Sequence, residues 1–175
     1  HYVPRIGYAT LKCIKRLAEM FPEAQTTFLS TRYFSHRNSF IAKDLNVQEL
    51  ISSIPQARYY ELLPRNNLMD IMEMTRVTAI VSGLLGSFGD SIASGAVPLC
   101  YSGHIYREPA KKHGLLLDVR EATEEEIFTC MYRLYTDDNI YNQVIYDYRE
   151  ELRHHGYDNA YKYFADMCSV LGISG

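Results

Sequence analysis

Apolar positions recur at helical spacing near the start of the chain: Leu11, Ile14, Ala18 and Phe21 share one stripe, which predicts a helix over 7–20. Lys12, Lys15 and Arg16 fall mostly off that stripe, as a solvated side requires, and Pro22 cannot continue the helix. The β-branched and aromatic run 26–30 reads as a strand. Residues 31–43 are polar and basic, and their pattern predicts no element. A short helix over 47–54 stops at Pro55, and 57–62 is strand-like. Leu68, Ile71, Met72 and Thr75 then mark one face of a helix over 67–75. The continuous β-branched run 77–81 has the character of a strand buried on both faces.

A short helix is expected over 87–94, with Ser87 as its cap and Gly95 as its stop. Strands follow at 97–101 and 115–119. Thr123-Glu124-Glu125-Glu126 is a capping box, because Thr can cap while a glutamate three residues on reaches back. The helix it opens carries Ile127, Cys130, Leu134 and Tyr135 on one stripe, and further helices are expected over 139–154 and 158–171. Strands alternating with helices predict an α/β fold: a Rossmann-like parallel sheet, helices on both faces and a helical C-terminal tail.

The chain has 175 residues, which suits a single domain over 1–175. Hydrophobic residues make up 47% and charged residues 22%, so wholesale disorder is excluded. The net charge of −3 supplies no global basic field, and no nucleic-acid partner is expected. No apolar stretch is long enough for a transmembrane segment, and no charged-then-apolar opening resembles a signal peptide. Cys13, Cys100, Cys130 and Cys168 are widely scattered, without metal-ligand spacing. They read as reduced, buried thiols of a cytoplasmic protein. The chain opens on His rather than Met, so a processed end or an excised domain is expected.

In open parallel sheets, ligands bind beyond the carboxyl ends of the strands. The turns at 62–67, 82–90 and 101–108 therefore matter most. The glycines of Ser82-Gly83-Leu84-Leu85-Gly86-Ser87-Phe88-Gly89-Asp90 permit close backbone approach. A helix starting there aims free N–H groups and a positive dipole end at the turn. The spacing is neither GxGxxG nor a P-loop, so phosphate binding and an ordinary tight turn both fit. Asp90 reads either as a helix-dipole partner in the first turn or as an acceptor for sugar or ribose hydroxyls. His104, in Ser102-Gly103-His104, reads either as an exposed loop histidine or as a contact to sugar or phosphate.

The stretch Ser87-Phe88-Gly89-Asp90-Ser91-Ile92-Ala93-Ser94-Gly95-Ala96-Val97-Pro98-Leu99 resembles the glycine-rich segment of GT-B glycosyltransferases of the group 1, family 4-like type. Those enzymes have a phenylalanine-glycine turn, a Glu-Ala-Met-Ala-Ser-Gly helix and a Val-Pro strand. Lys112-His113-Gly114-Leu115-Leu116-Leu117-Asp118 resembles their Asn-Gly-Leu-Leu-Val-Asp segment, and Thr123–Asp137 the helix after it. Gly156-Tyr157-Asp158-Asn159-Ala160 resembles the aromatic turn before their terminal helix. Arg5-Ile6-Gly7-Tyr8-Ala9-Thr10-Leu11 is similar to the Arg-Lys-Gly segment that opens their C-terminal, donor-binding domain.

The resemblance implies that this chain is the nucleotide-sugar-binding half of such an enzyme, with a separate N-terminal domain holding the acceptor. It implies metal-independent transfer without a cofactor, the nucleotide-diphosphate sugar being the donor substrate. Asp90 stands where the family's glutamate contacts the donor's ribose. Ser87, Phe88 and Gly89 would offer backbone to the diphosphate or sugar. Leu63, Pro64 and Arg65 follow a strand where the family's base-binding loop lies, and Thr31 and Arg32 end the earlier strand, on the same rim. Two departures stand out. The first glutamate of the family's pair would fall near Gly83, and Ile6 replaces its phosphate-clamping lysine, leaving Arg5 beside it. They favour an alternative: a non-catalytic nucleotide- or sugar-binding, or protein-interaction, module of the same fold. An unrelated Rossmann-like or flavodoxin-like regulator is a third reading.

Other clusters carry simpler readings. His154-His155 suits a helix end better than a metal, because adjacent helical side chains diverge. Arg32, His36 and Arg37 amid Tyr33, Phe34 and Phe40 read as a solvated or base-stacking loop. Tyr132, Tyr135, Tyr141, Tyr146 and Tyr148 read as helix packing, or as an interface with the missing domain.

Overall fold

Helices and short parallel strands alternate along the computed structural model, which describes residues 3–29, 47–60, 63–79 and 85–155. The described elements run α1 (Val3–Met20), β1 (Thr26–Leu29), α2 (Val47–Ser52), β2 (Ala57–Tyr60), α3 (Arg65–Glu73), β3 (Val77–Thr78) and α4 (Leu85–Ser94). They continue as β4 (Val97–Pro98), β5 (Cys100–Tyr101), α5 (Glu108–Lys112), β6 (Leu116–Leu117), α6 (Glu124–Thr136) and α7 (Asp138–His155). The architecture is mixed α/β and mainly helical, with small sheets.

Three strand pairs form, all parallel: β1 with β2, β3 with β4, and β5 with β6. The expected strand over 97–101 divides at Leu99 into β4 and β5. Its backbone explains the division. Val97 N–H donates to Arg76 O and Leu99 N–H to Thr78 O, on the β3 side. Ser102 N–H donates to Leu117 O, on the β6 side. Successive backbone groups of a strand face opposite neighbours, so this stretch lies between β3 and β6.

Helix α1 starts at Val3, one turn before the predicted 7–20. Pro4 does not prevent this, because the first turn has no use for its missing N–H. The predicted capping box is present: Thr123 Oγ1 accepts from Glu126 N–H, and Glu126 Oε2 accepts from Thr123 N–H. Gly95 ends α4 at φ 98°, a conformation that favours glycine, with Ala96 N–H donating to Ser91 O. Helix α5 was absent from the sequence expectation. It is a single turn whose Pro109 sits near its start, too short to show a period.

Helix α4 corrects two readings. It begins at Leu85, not at Ser87. The spacing of Leu85, Phe88 and Ile92 extends its apolar stripe back by a turn. Ser87 is therefore its third residue rather than its cap, and Asp90 is its sixth, past the first turn. The expected helix at 158–171 and the segment 31–43 lie outside the described residues.

The core gathers Cys13 and Leu17 of α1, Phe88 and Ile92 of α4, Val97, Leu99 and Cys100 of the central strand, and Ile127, Leu134 and Tyr148 of the late helices. Ile92, Ile127 and Tyr148 are fully excluded from solvent. Burying the Ile92 and Ile127 side chains contributes roughly 1.5–3 kcal/mol each. Helix α1 is fastened to α6 along its length. Lys12 pairs with Glu124 at 3.1 Å and Arg16 with Glu125 at 2.6 Å, while Phe21 packs on Tyr135 at 4.8 Å between ring centres. Among the described residues no helix is long and apolar enough to cross a membrane.

Candidate functional site

Parallel pairing sends the carboxyl ends of β3, β5 and β6 to one rim. Helix α4 links the chain segments that follow three strands. It follows β3 itself. Its Asp90 Oδ1 accepts from Arg65 Nη2 at 2.8 Å, and Arg65 opens α3 after β2. Its Phe88 stacks on His104, which follows β5, with ring centres 3.8 Å apart and planes 25° apart. Leu63, between β2 and α3, is half-buried and beside this junction in sequence.

Phe88 is buried, so its ring is a packing surface and not a free contact. It also meets Tyr148 edge-on at 5.6 Å. The backbone N–H group of Gly89, the fifth residue of α4, lies beyond the unpaired positions, because only a helix's first four N–H groups lack partners. Ser87 belongs to that free set by position, whereas Gly89 does not. Gly89 keeps another property: among the described residues, no atom outside the helix's own backbone and the adjacent residues lies within 4 Å of where a Cβ would stand.

His104 is not the exposed loop histidine that was the simpler expectation. Its Nδ1 accepts from Tyr106 N–H at 3.2 Å, and its own N–H donates to Tyr101 O at 2.8 Å. Partial burial lowers its pKa from the ordinary histidine value. Helix α1 approaches the same end of β5. Thr10 Oγ1 donates to Ile6 O and lies 3.3 Å from Tyr101 Oη. Arg5 is in the first turn of that helix, just beyond Ile6.

The structure thus joins Arg65 to Asp90 and Phe88 to His104. Thr31, Arg32 and residues 80–84, including the start of the expected turn 82–90, lie outside the described residues. Both contacts escaped the sequence. Arg65, Asp90, Phe88 and His104 were each singled out, but nothing in their spacing reveals which meets which.

Burial raises the thiol pKa of Cys13 to about 12, and those of Cys100 and Cys130 to about 11. None is a thiolate nucleophile at neutral pH. Among the described residues no group of three or more His, Cys, Asp or Glu could hold a metal ion. Away from the rim, Asp147 lies 2.7 Å from both Lys112 Nζ and His113 Nε2, tying the end of α5 to α7. Partial burial opposes ionisation of Asp147, but these two neighbours hold its pKa below the ordinary value. The tyrosines divide: Tyr141 donates to Gly95 O, Tyr135 packs on Phe21 and Tyr148 is buried, while Tyr146 is exposed.

Comparison with known proteins finds no matching family model, and no similar curated protein or solved structure.

Proposed function

We propose that this chain is the donor-binding domain of a GT-B-type glycosyltransferase, holding a nucleotide-diphosphate sugar against an acceptor carried by a separate N-terminal domain. One observation carries the reading. Helix α4 draws together the chain beyond β2, β3 and β5 through Arg65–Asp90 and Phe88–His104. A ligand beyond parallel strand ends meets those segments first. The resemblance of 87–99 to the family's donor-binding segment points to the same place. In this reading Asp90 accepts ribose hydroxyls, Arg65 attracts the diphosphate, and the start of α4, including Ser87, adds N–H groups and dipole. The resemblance adds Arg5, Leu63, Thr31 and Arg32 as further donor contacts, and the chain acts only with its partner domain, in the cytoplasm. Ligand-observed NMR with UDP, GDP, ADP and their sugar conjugates tests it. Saturable binding of one nucleotide is expected, and no binding to any of them contradicts it.

A second reading rests on Gly83 and Ile6, which replace the family's acid and lysine. The domain would then bind a nucleotide or sugar without catalysing transfer. Nucleotide binding without turnover by the full-length protein favours it.

A further inference from the structure

The His104 ring is held from several sides. Three restraints act on one ring. Tyr106 N–H donates to Nδ1 at 3.2 Å, so the lone pair sits on Nδ1 and the ring proton on Nε2. Phe88 lies against the ring face at 3.8 Å, and Tyr106 approaches at 5.7 Å. The loop is closed beneath it by His104 N–H donating to Tyr101 O at 2.8 Å. Partial burial also favours the uncharged ring. His113 offers a contrast, because its Nε2 is engaged by Asp147 at 2.7 Å. His104 Nε2 has no hydrogen-bond partner among the described residues.

We infer that His104 is a ligand-positioning residue of the rim, whose Nε2–H donates to an oxygen of the bound nucleotide sugar, on phosphate or on sugar. The inference rests on the donor-domain reading. A fixed donor with its tautomer already set loses little freedom on binding, which is how a site gains affinity by preorganisation. Phe88 supports the ring from α4 while Asp90, on the same helix, faces Arg65. One helix thereby sets two polar groups of different character: an acceptor and a donor.

Two substitutions separate the ring's two nitrogens. In His104→Asn the amide oxygen can replace Nδ1 as acceptor for Tyr106 N–H, but nothing reaches the Nε2 position. In His104→Gln an amide N–H reaches the Nε2 position. The experiment measures affinity for UDP, GDP, ADP and their sugar conjugates, beside the melting temperature. His104→Asn should bind the preferred nucleotide sugar about three- to tenfold more weakly, the effect of one uncharged hydrogen bond, while His104→Gln binds nearly as wild type. Loss with the sugar conjugate alone locates the acceptor on the sugar; loss with the free nucleotide as well locates it on phosphate. Wild-type affinity in a folded His104→Asn overturns the inference. If that variant fails to fold, imidazole nitrogen NMR of the wild type decides: saturation should shift the Nε2 resonance and leave Nδ1 proton-free, and an unmoved Nε2 overturns it. Failure of the wild type to bind any nucleotide overturns the donor-domain reading itself. Weakened binding by Asp90→Ala with normal binding by His104→Asn overturns only the role of His104.

Discussion

Arg65 Nη2 and Asp90 Oδ1 meet at 2.8 Å, joining the first residue of α3 to the middle of α4. The Arg65 side chain is 74% exposed and that of Asp90 25%. Such a pair contributes at most about 0.5–1 kcal/mol to stability, because water screens it. Asp90 is also too far into α4 to act as a partner of its dipole. Asp90→Ala should therefore shift the melting temperature little while weakening nucleotide binding by about tenfold or more, as loss of a charged hydrogen-bonding group does. Thermal unfolding and a binding titration on the same sample decide. A large loss of stability with unchanged affinity would make Asp90 a residue of the fold alone.

Gly89 offers a sharper separation of fold from ligand. Glycine inside a helix costs about 0.5–1 kcal/mol relative to alanine. Among the described residues, nothing outside the helix's own backbone and the adjacent residues lies within 4 Å of the added methyl group. Gly89→Ala is expected to stabilise the domain by roughly that amount in urea unfolding. If the ligand lies over this turn of α4, affinity falls in the same variant. Gain in stability with undiminished affinity would move the ligand away from Gly89.

The capping box at α6 gives a pH-dependent prediction. Hydrogen bonds from Thr123 N–H and Oγ1 hold the Glu126 pKa below the ordinary glutamate value. A carboxylate depressed in the folded state contributes stability above its unfolded pKa, and this is lost as pH falls through the folded pKa. Thr123→Ala should cost about 1 kcal/mol at neutral pH. The difference from wild type should shrink once Glu126 is protonated. Urea denaturation of both proteins at pH 7 and at about pH 3 checks it; an equal difference at both would show that the carboxylate plays no part.

Thiol chemistry tests the packing of α1 and the central strand. Cys13, Cys100 and Cys130 are buried, with pKa values raised to about 12, 11 and 11. Iodoacetamide at pH 8 should leave these three unmodified in the native protein and alkylate them in denaturant. Mass spectrometry reads each site separately. Rapid native labelling of Cys13 would mean that α1 does not stay packed on α6.

The local signals in the sequence carried much of the fold. Apolar spacing located α1, α6 and α7, and the Thr123–Glu126 pattern named a cap that forms. Gly95 marked the end of α4. What failed were features set by neighbours far along the chain. The central strand divides at Leu99 because its two edges bond different partners. Helix α5 spans only Glu108–Lys112, less than periodicity can reveal. At the rim, the helix expected over 87–94 begins at Leu85, so Gly89 and Asp90 lie deeper in it than expected. His104 looked solvent-facing because Phe88, the ring that covers it, comes from another element.

The most direct test of the central claim is a two-dimensional amide NMR titration of the isotopically labelled chain with the nucleotide sugar it prefers. The rim reading predicts saturable shifts concentrated at Arg65, Gly89, Asp90 and His104, with little change at His113 or Tyr146. Saturable shifts confined to His113, Asn142 and Tyr146 would place the ligand between α5 and α7 and contradict the account.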